Sequence, residues 1–285
     1  MTQNDKPLQE TVDKKNSEFW DTLCGSQLAE QLGIKDDSEQ SLKKFDDWYF
    51  EFYPYLYTHI PFAEMAGKRV LEIGLGYGTV SQKIAESGAE YHGLDIAAGP
   101  VDMVNLRMQR GELNGKAVQG SILEPPFDAG SFDWVVAIGC LHHTGDLAGA
   151  IDQVHRLLKT GGEAMIMVYN ACSYRQFQSS PIQTLKRLYS RPKGIEEIRN
   201  TDGAEKSRGA YDTNTDGDAA PQTEFVTKSE LSVMFEKYSI SSLVTENIGE
   251  DGVFRAFERS RALKFGKYVG LDVYCHVVKT QSETD

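Results

Sequence analysis

The sequence predicts an α/β fold: a doubly wound, mostly parallel seven-stranded sheet with helices on both faces, preceded by an N-terminal helical lid and carrying an inserted cap. Three observations support this. From Arg69 to Val168 short apolar runs alternate with longer amphipathic stretches, the pattern of strand, helix, strand. The run Arg69-Val70-Leu71-Glu72-Ile73 opens into Gly74-Leu75-Gly76-Tyr77-Gly78-Thr79, a glycine turn between a strand and a helix. A second run, Glu90-Tyr91-His92-Gly93-Leu94-Asp95, ends in an acidic residue roughly twenty positions further on, where a doubly wound sheet receives a ribose diol.

Composition narrows the class. The 285 residues allow one large α/β domain with additions. A formal charge of −12 and a pI near 5.0 argue against a nucleic-acid footprint, which is normally a basic stripe. No run approaches the ~20 apolar residues of a membrane span, and MTQNDKPLQETVDKK lacks the apolar core of a secretory leader. Cys24, Cys140, Cys172 and Cys275 are scattered without a C-x-x-C pair, as suits free thiols in a reducing cytoplasm. We therefore expect a cytoplasmic protein with neither a membrane nor a nucleic-acid partner; the oligomeric state stays open.

Taken in order, residues 1–16 are polar and read as a frayed end. Phe19, Trp20, Leu23, Leu28 and Leu32 fit short helices interrupted near Cys24-Gly25. The aromatic stretch that follows offers Phe45, Trp48, Tyr49, Phe52, Tyr55 and Tyr57 at helical spacing, with Pro54 as a break. It either packs aromatic bulk at the core edge or covers the site, with Tyr53 and Tyr57 as candidate substrate contacts. Residues 1–64 form this lid segment and 65–170 the ligand-binding core.

Within the core, glycines serve the turn because its backbone angles exclude other residues and because a side chain would hold a ligand off the main chain. The helix at 99–113 presents Val101, Val104, Leu106 and Met108 to the sheet, and the strand Lys116–Gln119 ends at Gly120-Ser121-Ile122. The fourth strand, Phe132–Ile138, runs into Gly139-Cys140-Leu141-His142-His143. Sites in open α/β sheets lie beyond the carboxyl ends of strands, so either histidine is placed to take a proton. The plainer reading is that one imidazole caps the loop. Neither carries metal-ligand spacing, so no metal is expected.

The helix at 146–159 turns Leu147, Ile151, Val154, Leu157 and Leu158 inward and stops at Gly161-Gly162, before the buried strand Ala164–Val168. Tyr169 and Asn170 end that strand, where they either orient a substrate or merely terminate it. Residues 171–226 form a polar insertion with a helix at 181–190. Asp212 to Asp218 imitate a calcium loop, but Thr223 stands where its bidentate glutamate belongs, so we read turn residues. Thr227-x-x-Glu230 is a capping box, and residues 227–279 add two further strands.

The turn also discriminates between cofactors. Nicotinamide enzymes favour G-x-G-x-x-G with a pyrophosphate at the helix terminus. Here Thr79 takes the third glycine's place, and Glu72 would repel a pyrophosphate while suiting a ligand that carries an ammonium and a sulfonium. With VLEIGLGYGTVSQKIAESGAEYHGLDIA, SFDWVVAIGCLHH and AIDQVHRLLKTGGEAMIMVYN in that order, the chain resembles a class I (Rossmann-like) SAM-dependent methyltransferase of the small-molecule type.

The resemblance implies S-adenosylmethionine (SAM) as methyl donor, S-adenosylhomocysteine as product and a small-molecule acceptor methylated at O, N, S or C. It places Glu72, Gly74, Gly76 and Gly78 around the methionine moiety, Asp95 with Ile96 at the ribose, Ser121 and Ile122 at the adenine, and Gly139 beside the cofactor. Family members often carry an aspartate at the Ser121 position, so the charge-assisted adenine contact is missing here. His142 and His143 fall beside the methyl group, with Tyr53, Tyr57, Tyr169 and Asn170 near the acceptor. Methylases of amino groups carry an N/D-P-P-Y/F motif after the fourth strand; Glu124-Pro125-Pro126-Phe127 precedes it and reads as a loop. Two other readings stand beside this one: a nicotinamide-dependent oxidoreductase, and a SAM-binding regulatory protein without turnover.

Overall fold

The computed structural model describes residues 6–23, 26–198, 205–214 and 217–281. Ahead of the sheet come α1 (Lys6–Leu23), α2 (Ser26–Gln31), α3 (Glu39–Phe52) and α4 (Leu56–His59). The core then alternates β1 (Arg69–Ile73), α5 (Thr79–Glu86), β2 (Glu90–Asp95), α6 (Ala98–Arg110), β3 (Gly115–Gln119), β4 (Phe132–Ile138), α7 (Leu147–Leu157) and β5 (Leu158–Tyr169). The insertion carries α8 (Tyr174–Ser179), α9 (Pro181–Tyr189) and α10 (Glu205–Gly209). After it come α11 (Lys228–Met234), β6 (Tyr238–Glu246), α12 (Arg259–Ala262), α13 (Gly266–Val269) and β7 (Asp272–Lys279).

Among the described residues the seven strands form one sheet in the order β3-β2-β1-β4-β5-β7-β6. The five core strands run parallel, and β7 pairs antiparallel with both β5 and β6. Ile73 lies opposite Leu94 on one side and Ala137 on the other, so β1, β2 and β4 end level. The order reverses between β1 and β4, and the crevice above that switch point is where such sheets bind ligands.

Strand alternation sorts the core into two layers. Leu71, Ile73, Val135 and Ile166 face α7 and α11, whereas Val70, Trp134, Val136 and Met165 face α4, α5 and α6. Glu72 shares the face of Val70, which brings it under α5. The capping box forms as expected: the Thr227 hydroxyl accepts from the Glu230 amide, and the Glu230 carboxylate from the Thr227 amide.

Several elements depart from the sequence reading. Residues 6–16 are not frayed but form the first half of α1. The Asn16 amide donates to the His143 carbonyl at 2.7 Å and the Gln9 amide to that of Thr144 at 2.9 Å, so α1's polar residues have partners in the core. The expected break at Cys24-Gly25 lies outside the described residues. Leu106 is only half-buried, and Arg107 is buried beside it. β5 begins at Leu158 rather than Ala164, because a register shift against β4 between Phe132 and Trp134 accommodates Gly161-Gly162. Residues 268–271, read as the start of the last strand, lie ahead of β7, and residues 247–271 build a small core of Ile248, Phe254, Ala262 and Leu271 against Tyr174. No helix among the described residues is long and apolar enough to cross a membrane.

Candidate active site

A cavity of about 450 Å³ opens above the carboxyl ends of β1, β2 and β4. Its floor is the glycine turn. Gly74 has φ +76°, and a Cβ there would lie 2.4 Å from the Cys140 Cβ, so the turn and the histidine loop meet only because this residue has no side chain. Gly78, at φ +78°, precedes α5, where a Cβ would stand 2.8 Å from the Arg107 Cδ.

Two carboxylates flank the turn. Glu72 accepts hydrogen bonds from the Ser81 hydroxyl at 2.5 Å and the Tyr91 hydroxyl at 2.7 Å. Burial outweighs those bonds and pushes its carboxyl up to about 7. Asp95 accepts from the Leu75 amide at 2.7 Å and the Ala97 amide at 2.9 Å, which ties the tip of β2 to the glycine turn. Burial raises its carboxyl too, against these backbone bonds.

Of the cofactor residues expected from sequence, Glu72, Gly74, Gly76, Asp95, Ile96, Ser121, Ile122 and Gly139 all line the cavity. Gly78 does not; it shapes the turn from outside. The two histidines part company. His143 lines the cavity, while His142 lies behind it, fully buried, its ring 4.2 Å from those of His143 and Tyr169. Burial pushes His142 well below the ordinary histidine range and holds it neutral.

Of the expected acceptor contacts, only Tyr53 reaches the cavity. Tyr57 is 53% exposed and packs against Phe50. Asn170 is spent on structure: its amide donates to the Gly270 carbonyl at 2.8 Å and accepts from the Cys172 amide at 2.9 Å. Tyr169 stands one layer back and donates to Asp212 at 3.2 Å.

Sequence reasoning missed much of the opposite wall. Asp13, Asn16 and Trp20 line the cavity from one face of α1, at helical spacing that polarity concealed; Phe45, Trp48 and Tyr49, from the aromatic stretch weighed above as a cover for the site, line it from α3. Asp212 enters from the insertion. Its inward placement separates it from any calcium loop on the surface, and Thr215 and Asp216 of that motif lie outside the described residues. The Asp212 Oδ2 lies 3.7 Å from the His143 Nε2.

The sequence pattern described as a methyltransferase domain matches residues 70–162. Over those residues the chain is a methyltransferase domain. The chain is 34% identical over 112 residues to a ubiquinone biosynthesis O-methyltransferase of Pseudomonas aeruginosa, covering 38% of this chain and 47% of that one. A demethylmenaquinone methyltransferase of Clavibacter sepedonicus is 30% identical over 127 residues, 45% of this chain and 48% of that one. The chain thus spans about half the length of the curated relatives it matches. In fold, it resembles a geranyl diphosphate C-methyltransferase from Streptomyces coelicolor A3(2), with TM-score 0.59 at 14% identity over 94% of this chain and 98% of that one. A SAM-dependent methyltransferase from Methanosarcina mazei gives TM-score 0.55 at 16% identity over 81% and 99%.

Proposed function

We propose that this protein is an enzyme that moves a methyl group from SAM to a small-molecule acceptor. The observation that carries this reading is the union, in one cavity, of the glycine turn, Glu72, Asp95 and Ser121 with the histidine loop. The cavity's residues fit the donor: Gly74 and Gly76 present bare backbone, Glu72 offers a buried carboxylate to an ammonium, and Asp95 offers one to a diol. When bound, SAM supplies a sulfonium methyl that a nucleophile displaces in line, leaving S-adenosylhomocysteine.

The chain's own contribution is alignment and exclusion of water. We assign residues 1–64 as the lid, because Trp20, Phe45, Trp48, Tyr49 and Tyr53 wall the cavity. Residues 171–226 act as the acceptor cap, through Asp212. Ser121 accepts in place of the family's frequent aspartate at the adenine. A small-molecule acceptor agrees with the names of the relatives, which include an O-methyltransferase, a C-methyltransferase and the phosphoethanolamine N-methyltransferase 2 of Caenorhabditis elegans. The free thiols Cys140, Cys172 and Cys275 suit the cytoplasm.

Calorimetric titration with SAM, S-adenosylhomocysteine and NADH, followed by assay of labelled methyl transfer into a small-metabolite extract, tests this. We expect the two adenosyl ligands to bind and label to enter a metabolite. Binding by NADH alone would move the protein to the oxidoreductases; adenosyl binding without transfer would make it a sensor.

A further inference from the structure

The chemistry of the acceptor can be read from the charges at the cavity's far end. We propose that the acceptor is an amine or hydroxyl compound bearing no acidic group, whose proton passes to His143 Nε2 while Asp212 stabilises the imidazolium that results. This rests on the methyltransferase reading of the same cavity.

The charge distribution is one-sided. Four carboxylates, Asp13, Glu72, Asp95 and Asp212, line the cavity, and among the described lining residues there is no lysine or arginine. Glu72 and Asp95 sit at the glycine turn, so Asp13 and Asp212 remain for the acceptor. Nearby cations are committed elsewhere: Arg107 pairs with Asp46 at 2.8 Å, Arg175 with Asp251 at 2.9 Å, and Arg259, whose charge reaches Tyr53, donates to the Phe52 and Ile248 carbonyls. A carboxylate or phosphate on the acceptor would lose water and meet like charge with no lysine or arginine among the described lining residues to pair with it. A neutral or cationic group meets the reverse, with the aromatic walls of Trp20 and Trp48 beside it.

The histidine is set up as a proton acceptor. Its Nδ1 lies 2.7 Å from the Gln222 carbonyl, which can only accept, so Nδ1 carries the proton of the neutral ring and Nε2 keeps its lone pair. Among the described residues neither Nε2 nor the Asp212 Oδ2 has a hydrogen-bond partner, although both are buried. Their 3.7 Å separation is too long for a hydrogen bond, so an N–H or O–H presented from the cavity would satisfy both atoms.

Burial keeps the His143 ring neutral, while Asp212 and the Gln222 carbonyl favour its charged form. The other groups acting on this pair are His142, Tyr53, Tyr169, Asp272 and Arg175. In the transfer, the acceptor's lone pair forms the bond to the methyl carbon and the carbon–sulfur pair stays on the departing sulfur. The acceptor's proton moves to Nε2, so the sulfonium's positive charge ends on an imidazolium beside Asp212.

The test uses the full chain saturated with S-adenosylhomocysteine, whose affinity is measured first. Failure at that step would sink the methyltransferase reading itself. Benzylamine, benzyl alcohol and benzoate are then titrated by calorimetry, and the His143 imidazole is followed by NMR across pH. We expect benzylamine to bind about tenfold or more tightly than benzoate, as a like-charge penalty in a buried site requires. Asp212→Asn should narrow that preference and lower the His143 midpoint while sparing S-adenosylhomocysteine, and Asp212→Glu should restore both. Benzoate binding as tightly as benzylamine, no probe binding at all, or a His143 midpoint indifferent to Asp212→Asn would each overturn the proposal. Should Asp212→Asn fail to fold, the wild-type probe ranking and Asp212→Glu still decide it.

Discussion

At the scale of single residues, the two carboxylates at the glycine turn differ in what already occupies them. Asp95 holds the Leu75 and Ala97 amides, so it shapes the turn besides facing the cavity. Asp95→Ala should weaken SAM binding by about 1–3 kcal/mol, and unchanged affinity in calorimetry would remove Asp95 from the cofactor site. Glu72 carries a pH signature instead. With its carboxyl pushed up to about 7 by burial, the free protein holds it partly protonated at neutrality. An ammonium partner favours the carboxylate, so binding below pH 7 must release that proton. SAM affinity should therefore climb from pH 6 to 7 and flatten by pH 8. Glu72→Gln should bind more weakly and without that slope.

At the scale of elements, the N-terminal helices are fastened to the core by a pair of side chains on α3 and α6. Arg107, fully buried, donates two hydrogen bonds to Asp46, at 2.8 and 3.0 Å, and one to Gln82. The Thr79 hydroxyl donates to Asp46 at 2.6 Å, which gives a structural use to the residue that replaces a third glycine. Removing one partner leaves a buried guanidinium uncompensated, so Asp46→Ala should cost about 2–4 kcal/mol in denaturant unfolding, less than the fully buried limit because Asp46 is part-exposed. A loss below about half a kilocalorie would show that α3 is held by its aromatic packing instead. The same latch shows where sequence stops being legible. Val104 and Met108 announce α6 through their spacing, and Glu72 and Asp95 are fixed by a turn only a few residues away. Arg107 reads as a surface cation until Asp46, sixty-one positions earlier, is placed against it. Likewise α1 looks like a polar tail because Gln9 and Asn16 find their partners in the loop at 143–144. Asp212 is fixed by the path of the insertion, which no local pattern records.

At the scale of the whole molecule, the buried ionisable groups predict a stability profile with two sides. Asp272 begins β7 with 2% exposure, accepting from Asn247 at 2.9 Å through one oxygen while the other has no partner among the described residues. Its carboxyl is pushed up to about 7 by burial, as is that of Glu72. Groups raised in this way add stability that is fully present below their ordinary carboxylate range and is lost as pH rises through about 7. The buried histidines act in the opposite sense. His142 and His143 are held below their ordinary value, so the unfolded chain takes up more protons than the folded one beneath about pH 6.5 and stability falls on the acid side. Asp133 and Asp251 are lowered from an ordinary value of 3.8, and their window lies below that of the histidines. Between about pH 4.5 and 6.5 the two effects oppose each other, and above that the raised carboxylates act alone, so the ligand-free protein should lose stability as pH rises from about 6.5 to 7.5 and level off by about pH 8. Asp272→Asn should flatten the alkaline side with or without ligand. Saturating SAM should remove only Glu72's share, because the bound ammonium compensates that one carboxylate. A melting midpoint that rises steadily to pH 8 in the ligand-free protein would mean that Glu72 and Asp272 ionise freely, and that the cavity floor is far wetter than its burial implies.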